Sequence, residues 1–459
     1  MSTKLSRRNF LQAATLTIGA AALAACTPAT TTTEETSGKT EEAPKDNPPP
    51  ARKVKLVFSS YTWAGYQAAM QAAIDQYVAK NPNVEVEGQF VADGYWDKVQ
   101  TQVAAGEGLD CGIADYGRLV SYAKNGTLLD ITTYMQSSNF PVDKAFPGAS
   151  SQYRWADGDF SSGATGGPYF GIPSDAQAQV MFYNKNMFDA AGLSYPTDDW
   201  TWDDMLAAAQ KMTKADENTW GIVNIPDYIL LKGNWVYGAG GTIHTPDFTK
   251  FTMTDPGTVE AFKWNWDLMY THKVAPPPGA LGSSNAFMTG KVGMWIEGVW
   301  WIPDFASGIK DFEWDVCLFP KHPKTGKRTT TVESDGWWVY KQTKEAQAAY
   351  DLIAYLGAEE QQKSVFQAAG YVIPSCYPDA AAEWYAQKPP ENRVKVLENI
   401  KMDSVPVDFT YFEFGTITNA YYPVIQKAFN DGEDIVTTMQ EVDKVMNEEL
   451  NKAWELFKS

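Results

Sequence analysis

The sequence predicts an α/β fold, because short β-branched segments alternate along the chain with longer segments of helical periodicity. The first such segment, at 54–58, is rich in valine and leucine and is typical of a strand. The next segment, 65–80, repeats apolar residues at helical spacing and ends at Asn81 and Pro82, so we expect a helix. Apolar and acidic residues then alternate at 84–87, which predicts a second strand. Strands joined through a helix run parallel, and the pattern therefore indicates β-α-β units.

The alternation of strands and helices continues through the rest of the chain. Thr201 with Asp204 three residues later predicts a capped helix start, and Asp255 before Pro256 predicts another. The expected buried stripe of the helix after Pro256 is formed by Val259, Phe262, Trp266 and Met269. Further strands are expected at 180–183, 292–296, 314–318 and 337–340, a short helix at 186–191, and a long final helix at 435–454.

The first 26 residues carry the pattern of a bacterial export signal. Arg7 and Arg8 precede a short apolar stretch, as in twin-arginine signal peptides. This stretch is shorter than the roughly 20 residues that a membrane-spanning helix needs. Residues 23–26 resemble the lipobox of bacterial lipoproteins, which implies cleavage before Cys26 and lipidation at that residue. We therefore expect a signal peptide at 1–25 and, at 26–51, a flexible tether rich in Thr, Pro and Glu that holds the body at the outer face of the cell membrane.

The charge of the chain argues against two classes of partner. Its 459 residues include 38 Lys and Arg against 56 Asp and Glu, for a formal net charge of −18. A chain this acidic repels nucleic acid and anionic lipid surfaces. Aromatic residues make up 14% of the chain and include 17 tryptophans, more than a core alone usually uses, because each indole N–H needs a partner. This content favours aromatic platforms for a flat ligand.

The cysteine and histidine content argues against a zinc or other transition-metal site. Once Cys26 is assigned to lipidation, Cys111, Cys317 and Cys376 remain. This odd number does not make a disulfide framework, although it leaves one bridged pair open. The histidines show no metal-ligand spacing, and the chain contains no Cys-x-x-Cys motif. We expect no metal, no cofactor and no catalytic residue.

Aromatic and acidic residues follow the carboxyl ends of several predicted strands, which is where ligands bind to open α/β sheets. Ring faces stack on sugar rings, and carboxylates accept hydrogen bonds from sugar hydroxyls, so these residue types fit a carbohydrate site. Each has a structural alternative: the rings as core or rim residues, and Asp175 as a cap or hinge residue. The candidate ligand-binding residues are Tyr61, Trp63, Tyr116, Asp175, Trp235, Glu297, Trp300, Asp335 and Trp337.

Several segments resemble, in their order and spacing, the extracellular solute-binding proteins of family 1, the sugar-binding type that feeds ABC importers. The matching segments are 95–101, 123–131, 182–193, 196–197, 200–205, 289–294, 297–300 and 335–337. The resemblance spans 54–459 and implies a two-lobed, type II periplasmic-binding-protein-like fold, with the ligand in a cleft between hinged lobes. It places lobe 1 at 52–172 and 313–360, and lobe 2 at 173–312 and 361–459.

The resemblance also implies a function. Such proteins capture a mono- or oligosaccharide by hinge closure and deliver it unaltered to the permease subunits and ATPase of an ABC importer. We expect a monomeric, lipid-anchored binding protein rather than an enzyme. Glycerol phosphates fit less well, because Arg118 and Arg154 are the only arginines near the matched positions.

A secreted carbohydrate-active hydrolase is the alternative. A retaining glycosidase needs two carboxyl groups about 5 Å apart, and an inverting one needs about 6.5–9.5 Å. Asp175, Glu297 and Asp335 are the candidates for such a pair, but the chain shows neither an eightfold barrel repeat nor a hydrolase motif. The sequence leaves open which sugar is bound, which permease is the partner, and what the enlarged loop at 157–167 does.

Overall fold

The computed structural model describes residues 52–62, 65–156, 167–223, 233–281, 286–363, 374–401, 404–406 and 414–458. The chain divides into two units, 1–51 and 52–459, and every described residue belongs to the second. The predicted signal peptide, the tether and Cys26 therefore lie outside the described residues, as do Trp63 and residues 157–166 of the enlarged loop. Across the ranges that are described, no helix is both long enough and apolar enough to cross a membrane.

The second unit alternates strands and helices, as the sequence predicts. The strands are β1 (Val54–Tyr61), β2 (Val84–Val91), β3 (Cys111–Ala114), β4 (Gly171–Pro173), β5 (Gln177–Asn184), β6 (Trp220–Val223), β7 (Val292–Gly298), β8 (Trp314–Cys317), β9 (Thr330–Glu333), β10 (Gly336–Val339) and β11 (Ser404–Pro406). The helices are α1 (Tyr66–Lys80), α2 (Tyr95–Ala105), α3 (Leu119–Lys124), α4 (Thr132–Ser138), α5 (Pro147–Ser150), α6 (Lys185–Ala190), α7 (Trp202–Met212), α8 (Asn234–Gly238), α9 (Pro256–Tyr270), α10 (Ile302–Gly308), α11 (Ala346–Gly357), α12 (Glu359–Gln361), α13 (Pro378–Tyr385), α14 (Val394–Lys401), α15 (Phe414–Asp431) and α16 (Ile435–Lys458).

The first sheet has the strand order β2-β1-β3-β10-β4. β1 runs parallel to both β2 and β3, and α1 and α2 connect these three strands in sequence. The predicted β-α-β units are therefore confirmed. β10, which comes much later in the chain, is inserted between β3 and β4 and runs antiparallel to both. One hydrophobic core, here called the first core, packs against this sheet and includes Phe58, Ile113 and Trp338.

The second sheet has the order β11-β9-β5-β7-β6, with β8 also paired to β5. Every residue of β5 is buried, and alternate side chains enter two different cores. Met181 and Tyr183 join the second core, which includes much of α7, α9, α15 and α16. Val180 and Phe182 join the third core, which α10, α13 and α14 cover. This central strand therefore holds both faces of the second lobe together.

Local signals fix the start of two helices in the second lobe. The Thr201 hydroxyl accepts the N–H of Asp204, and the Asp204 carboxylate accepts the N–H of Thr201 at 2.9 Å, so the predicted capping box is confirmed. Asp255 caps α9 by accepting the N–H of Gly257. The predicted buried stripe of α9 is wrong in part, because Val259, Trp266 and Met269 are only partly buried. The fully buried residues of this helix are Thr258, Ala261, Phe262, Asn265 and Leu268.

Among the described residues, three segments connect the two sheets. The first segment joins β4 to β5, and the second joins β9 to β10. The third follows α11, which packs on the first sheet, and leads to α13, which covers the third core. Within the range 313–360 that was predicted to return to lobe 1, β8 and β9 belong to the second sheet, and only β10 and α11 lie with the first. The exact lobe boundaries stay a prediction.

Candidate functional site

The three crossing segments lie side by side and are joined by backbone hydrogen bonds. The Ser174 N–H donates to the Asp335 carbonyl at 2.8 Å, which links the first two crossings. The Ala176 N–H donates to the Pro374 carbonyl at 3.0 Å, and the Cys376 N–H donates to the Ser174 carbonyl at 3.2 Å, which links the third. The predicted site residues Asp175 and Asp335 therefore belong to the junction through which both sheets are connected.

Asp175 is a buried carboxylate at the centre of this junction, with 5% of its surface exposed. Its Oδ1 accepts the N–H of Asp335 at 2.8 Å and the Nε2–H of Gln177 at 3.1 Å, and its Oδ2 accepts the Ser174 hydroxyl at 3.0 Å. Burial, and then the nearby charge of Asp335, raise the pKa of Asp175 well above its ordinary value. The hydrogen bonds show that this carboxylate fixes the geometry of the crossing segments.

Tyr61 and Asp335 connect the end of β1 to the same junction. The Tyr61 hydroxyl donates to Asp335 Oδ1 at 3.1 Å, and both side chains are partly exposed. The Tyr61 ring packs edge-on against Tyr95 and at a tilt against Trp96, with ring centroids 5.7 and 6.2 Å apart. These contacts orient an aromatic ring and a carboxylate toward one place between the sheets.

Tyr116 makes a polar contact between the two sheets. It follows β3 of the first sheet, yet its ring packs against the second core. Its hydroxyl donates to Glu333 Oε2 at 2.9 Å, and Glu333 is the last residue of β9 in the second sheet. Burial and the adjacent Glu333 charge raise the pKa of the Tyr116 phenol. Glu333, which sequence analysis missed, is therefore a buried carboxylate at the junction.

Trp300 makes the reciprocal apolar contact. It follows β7 of the second sheet, but its side chain packs against the first core. Its ring lies against Gly298, where an added Cβ would stand only 2.0 Å from the ring carbons. Glycine is therefore required at this position for the indole to pack this closely against the strand. Each sheet thus contributes one aromatic residue that reaches the other.

A group of buried polar residues, also missed by sequence analysis, lies on the second sheet. Asn234 Nδ2 donates to Gln179 Oε1 at 2.6 Å, and Asn234 Oδ1 accepts the N–H of Thr331 at 3.0 Å. Gln179 is 2% exposed, and its Nε2 has no hydrogen-bond partner among the described residues. The available signal was the alternation of Gln177 and Gln179 in an otherwise apolar strand.

Three predicted residues are enclosed in the interior instead. Trp235 is 4% exposed and packs edge-on between Trp202 and Phe319, with its ring centroid 4.8 Å from the ring centroid of each. Trp337 is 3% exposed and belongs to the first core. Glu297 is buried, and its Oε1 accepts the Gly298 N–H at 2.8 Å. Their burial favours a structural role for these three side chains, and their part in ligand binding stays a prediction.

Two other features bear on what can bind. Arg118 is engaged by the protein itself, because its guanidinium lies 4.3 Å from the Trp96 ring centroid and 2.6 Å from Asp115 Oδ2. A surface groove lies between α9 and α16, and none of the predicted site residues lines it. The cysteines Cys111, Cys317 and Cys376 are free and buried, so the pair that the sequence left open is not bridged.

Two sheets joined by three crossings, with rings and carboxylates at the junction, define a two-lobed solute-binding protein. The chain belongs to the family of bacterial extracellular solute-binding proteins, whose family model matches residues 62–363, more than half of its length.

Similar proteins support this assignment. An arabinooligosaccharide-binding protein of Halalkalibacterium halodurans is 24% identical over 221 residues, which cover 45% of this chain and 48% of that one. An sn-glycerol-3-phosphate-binding periplasmic protein of Rhizobium meliloti is 21% identical over 62% of this chain and 67% of its own. Among solved structures, an ABC substrate-binding protein of Listeria monocytogenes in complex with cycloalternan superimposes with a TM-score of 0.77 at 24% identity, covering 87% of this chain and 99% of that one. The predicted type II periplasmic-binding-protein-like fold is thereby confirmed.

Proposed function

We propose that this protein is the carbohydrate-binding component of an ABC importer, which captures a mono- or oligosaccharide between its lobes and delivers it unaltered to membrane permease subunits. The observation that carries the proposal is that Tyr116 and Trp300 each reach from one sheet to the core of the other. The carboxylates of Glu333 and Asp335 lie at the same junction, where they bind the hydroxyls of Tyr116 and Tyr61. Rings stack on the C–H faces of a sugar, and carboxylates accept its hydroxyls, so this residue set suits a neutral polyhydroxylated ligand.

The crossing segments support hinge closure as the mechanism. Three adjacent strands of backbone joined by hydrogen bonds allow one lobe to rotate on the other while the packing inside each lobe is kept. A ligand that contacts both lobes binds the closed form more tightly than the open form, and that difference in affinity shifts the equilibrium. The permease then distinguishes the closed form from the open one.

The finer parts of the proposal concern attachment. The proposed twin-arginine signal at 1–25 exports the chain, and a lipid on Cys26 retains it at the outer face of the membrane through the tether at 26–51. The proposed active form is a monomer. Mass spectrometry of the membrane-extracted protein tests the anchor, because the N-terminal peptide is expected to begin at an acylated Cys26.

Titration with arabinooligosaccharides and maltooligosaccharides tests the function. We expect saturable tryptophan fluorescence changes, with no shortened sugar detected by mass spectrometry. Trp300→Ala is expected to weaken binding roughly ten-fold, since an aromatic stacking contact contributes up to about 1.5 kcal/mol. Trp301→Ala is the matched control, because the neighbouring Trp301 packs against the third core. Release of shortened product would favour the hydrolase, and an absence of binding across the panel would contradict the proposal.

A further inference from the structure

The polar residues of the second sheet share one face with the interlobe contacts. Gln177 pairs with Glu333 in the antiparallel register of β5 and β9, so their side chains point to the same side of the sheet. Gln179, two residues further along β5, also points to that side. Gln179 in turn pairs with Gly298, the residue against which the Trp300 ring lies. The Gln179 amide, which has no partner among the described residues, therefore lies on one continuous face with the Glu333 carboxylate and the Trp300 indole.

Tyr116 covers the carboxylate end of this surface from the other lobe. Its hydroxyl holds Glu333 Oε2 at 2.9 Å, although the two residues belong to different sheets. A hydrogen bond weakens steeply once its atoms separate beyond about 3.5 Å, so rotation of one lobe on the other breaks this contact. The contact therefore exists only where the two lobes are close together. In this arrangement the Tyr116 hydroxyl donates the hydrogen bond to Glu333 that a ligand hydroxyl could donate instead.

We propose that Glu333 and Gln179 form the second-lobe half of the ligand site, and that Tyr116 occupies Glu333 until a hydroxyl of the ligand replaces it. This inference rests on the proposed function and specifies its ligand. The Glu333 carboxylate accepts a hydrogen bond, at present from a hydroxyl, and Gln179 Nε2 can donate one to an oxygen; the hydroxyl groups of a neutral sugar match both groups. A phosphate group at this position would be repelled by the Glu333 carboxylate. Arg118 is not available to bind it, because its guanidinium forms an ion pair with Asp115. The site therefore selects neutral carbohydrates over sugar phosphates.

The first test measures lobe closure without ligand. Spin labels at Gln136→Cys on α4 and Asp203→Cys on α7, both exposed positions, report the distance between the lobes by electron–electron double resonance. Tyr116→Phe is expected to lower the ratio of closed to open protein about ten-fold, because a hydrogen bond to a charged group is lost. Tyr350→Phe is the matched control, since it removes a tyrosine bond to Ser138 within the first lobe. A Tyr116→Phe distribution equal to wild type, or a wild type that is fully open, overturns the role of Tyr116.

The second test measures ligand choice by calorimetry with maltotriose, arabinotriose and sn-glycerol 3-phosphate. Glu333→Gln is expected to bind whichever of the two trisaccharides the wild type binds with about ten-fold lower affinity. The ratio of its affinity for that sugar to its affinity for sn-glycerol 3-phosphate is expected to be smaller than in wild type. Glu313→Gln, at an exposed carboxylate paired with Lys185, is the control and is expected to match wild type. Unchanged affinity in Glu333→Gln overturns this inference and leaves the proposed function standing. Tighter wild-type binding of the phosphate than of either sugar also overturns it. If neither sugar nor any other carbohydrate binds, the proposed function itself fails, whatever the first test shows.

Discussion

The buried Asp175 carboxyl makes a specific prediction about stability and pH. In the unfolded chain this group ionises at its ordinary pKa, whereas burial and Asp335 raise its pKa in the folded protein. Between these two values the folded state retains a proton that the unfolded state has lost. The free energy of unfolding therefore falls as pH rises through that window, and the contribution is fully present only below the ordinary pKa.

The substitution Asp175→Asn removes this titration and keeps the shape of the side chain. The asparagine oxygen can still accept the N–H of Asp335 and the amide of Gln177, while its Nδ2 donates to the Ser174 oxygen in place of the bond at Oδ2. One proton is at stake, so the wild type loses at most about 1.4 kcal/mol of unfolding free energy per pH unit in the window. The variant lacks this slope.

Urea unfolding at half-unit pH steps measures the difference. We expect the variant to be relatively more stable toward the alkaline side of the window, where wild type must bury a charge whose neighbours include Tyr66, Tyr153 and Tyr385. Asp143→Asn, at an exposed position, serves as the control and retains the wild-type slope. Equal slopes for Asp175→Asn and wild type would refute the reasoning, because they would mean that folding does not perturb this carboxyl.

Other features of the structure give three further predictions. Gly298→Ala is expected to cost about 1–3 kcal/mol, because its Cβ would displace the Trp300 ring, and an unchanged melting temperature would contradict the contact. Thr201→Ala is expected to lower the free energy of unfolding in urea by about 1 kcal/mol through loss of the capping box. The control Thr101→Ala, at an exposed position, is expected to change it by less than about 0.5 kcal/mol. Equal effects of the two substitutions would mean that the cap contributes little. The thiols of Cys111, Cys317 and Cys376 are buried, and burial raises their pKa values. In protein that begins at Arg52, we therefore expect them to react with a disulfide reagent only on unfolding. Immediate labelling under native conditions would contradict this prediction, because it would show that the thiols are accessible.

Elements defined by local signals could be predicted from the sequence. The strand at the start of the unit, the helix after it and the capped start of α7 depend on nearby residues, and each is present. The buried face of α9 depends on distant partners, and the prediction was right for Phe262 but wrong for the three residues that are only partly buried. The indole of Trp266 donates to the Ala428 carbonyl of α15 at 3.0 Å, a contact 162 residues away that keeps this ring at the edge of the core.

The candidate site residues show the same difference between features set by nearby residues and features set by distant partners. Tyr61 is the last residue of β1, and the order of strands brings it to the junction of the sheets together with four residues that follow strand ends, namely Tyr116, Asp175, Trp300 and Asp335. The burial of other rings depends on neighbours that the local sequence does not specify, since an indole suits a core as well as a cleft. Glu333 was missed because its significance comes from Tyr116, which lies 217 residues away.

The position of β10 has a consequence for how the chain is completed. Synthesis delivers β3 and β4 long before Gly336 emerges, and until then β3 is paired only with β1 and β4 lacks its partner strand. Nascent protein must therefore keep these two strand edges unpaired while β5 to β9 of the second sheet are being made, and unpaired strand edges promote pairing with other chains. We therefore expect a chain released before this strand is made to aggregate more readily than the full-length chain.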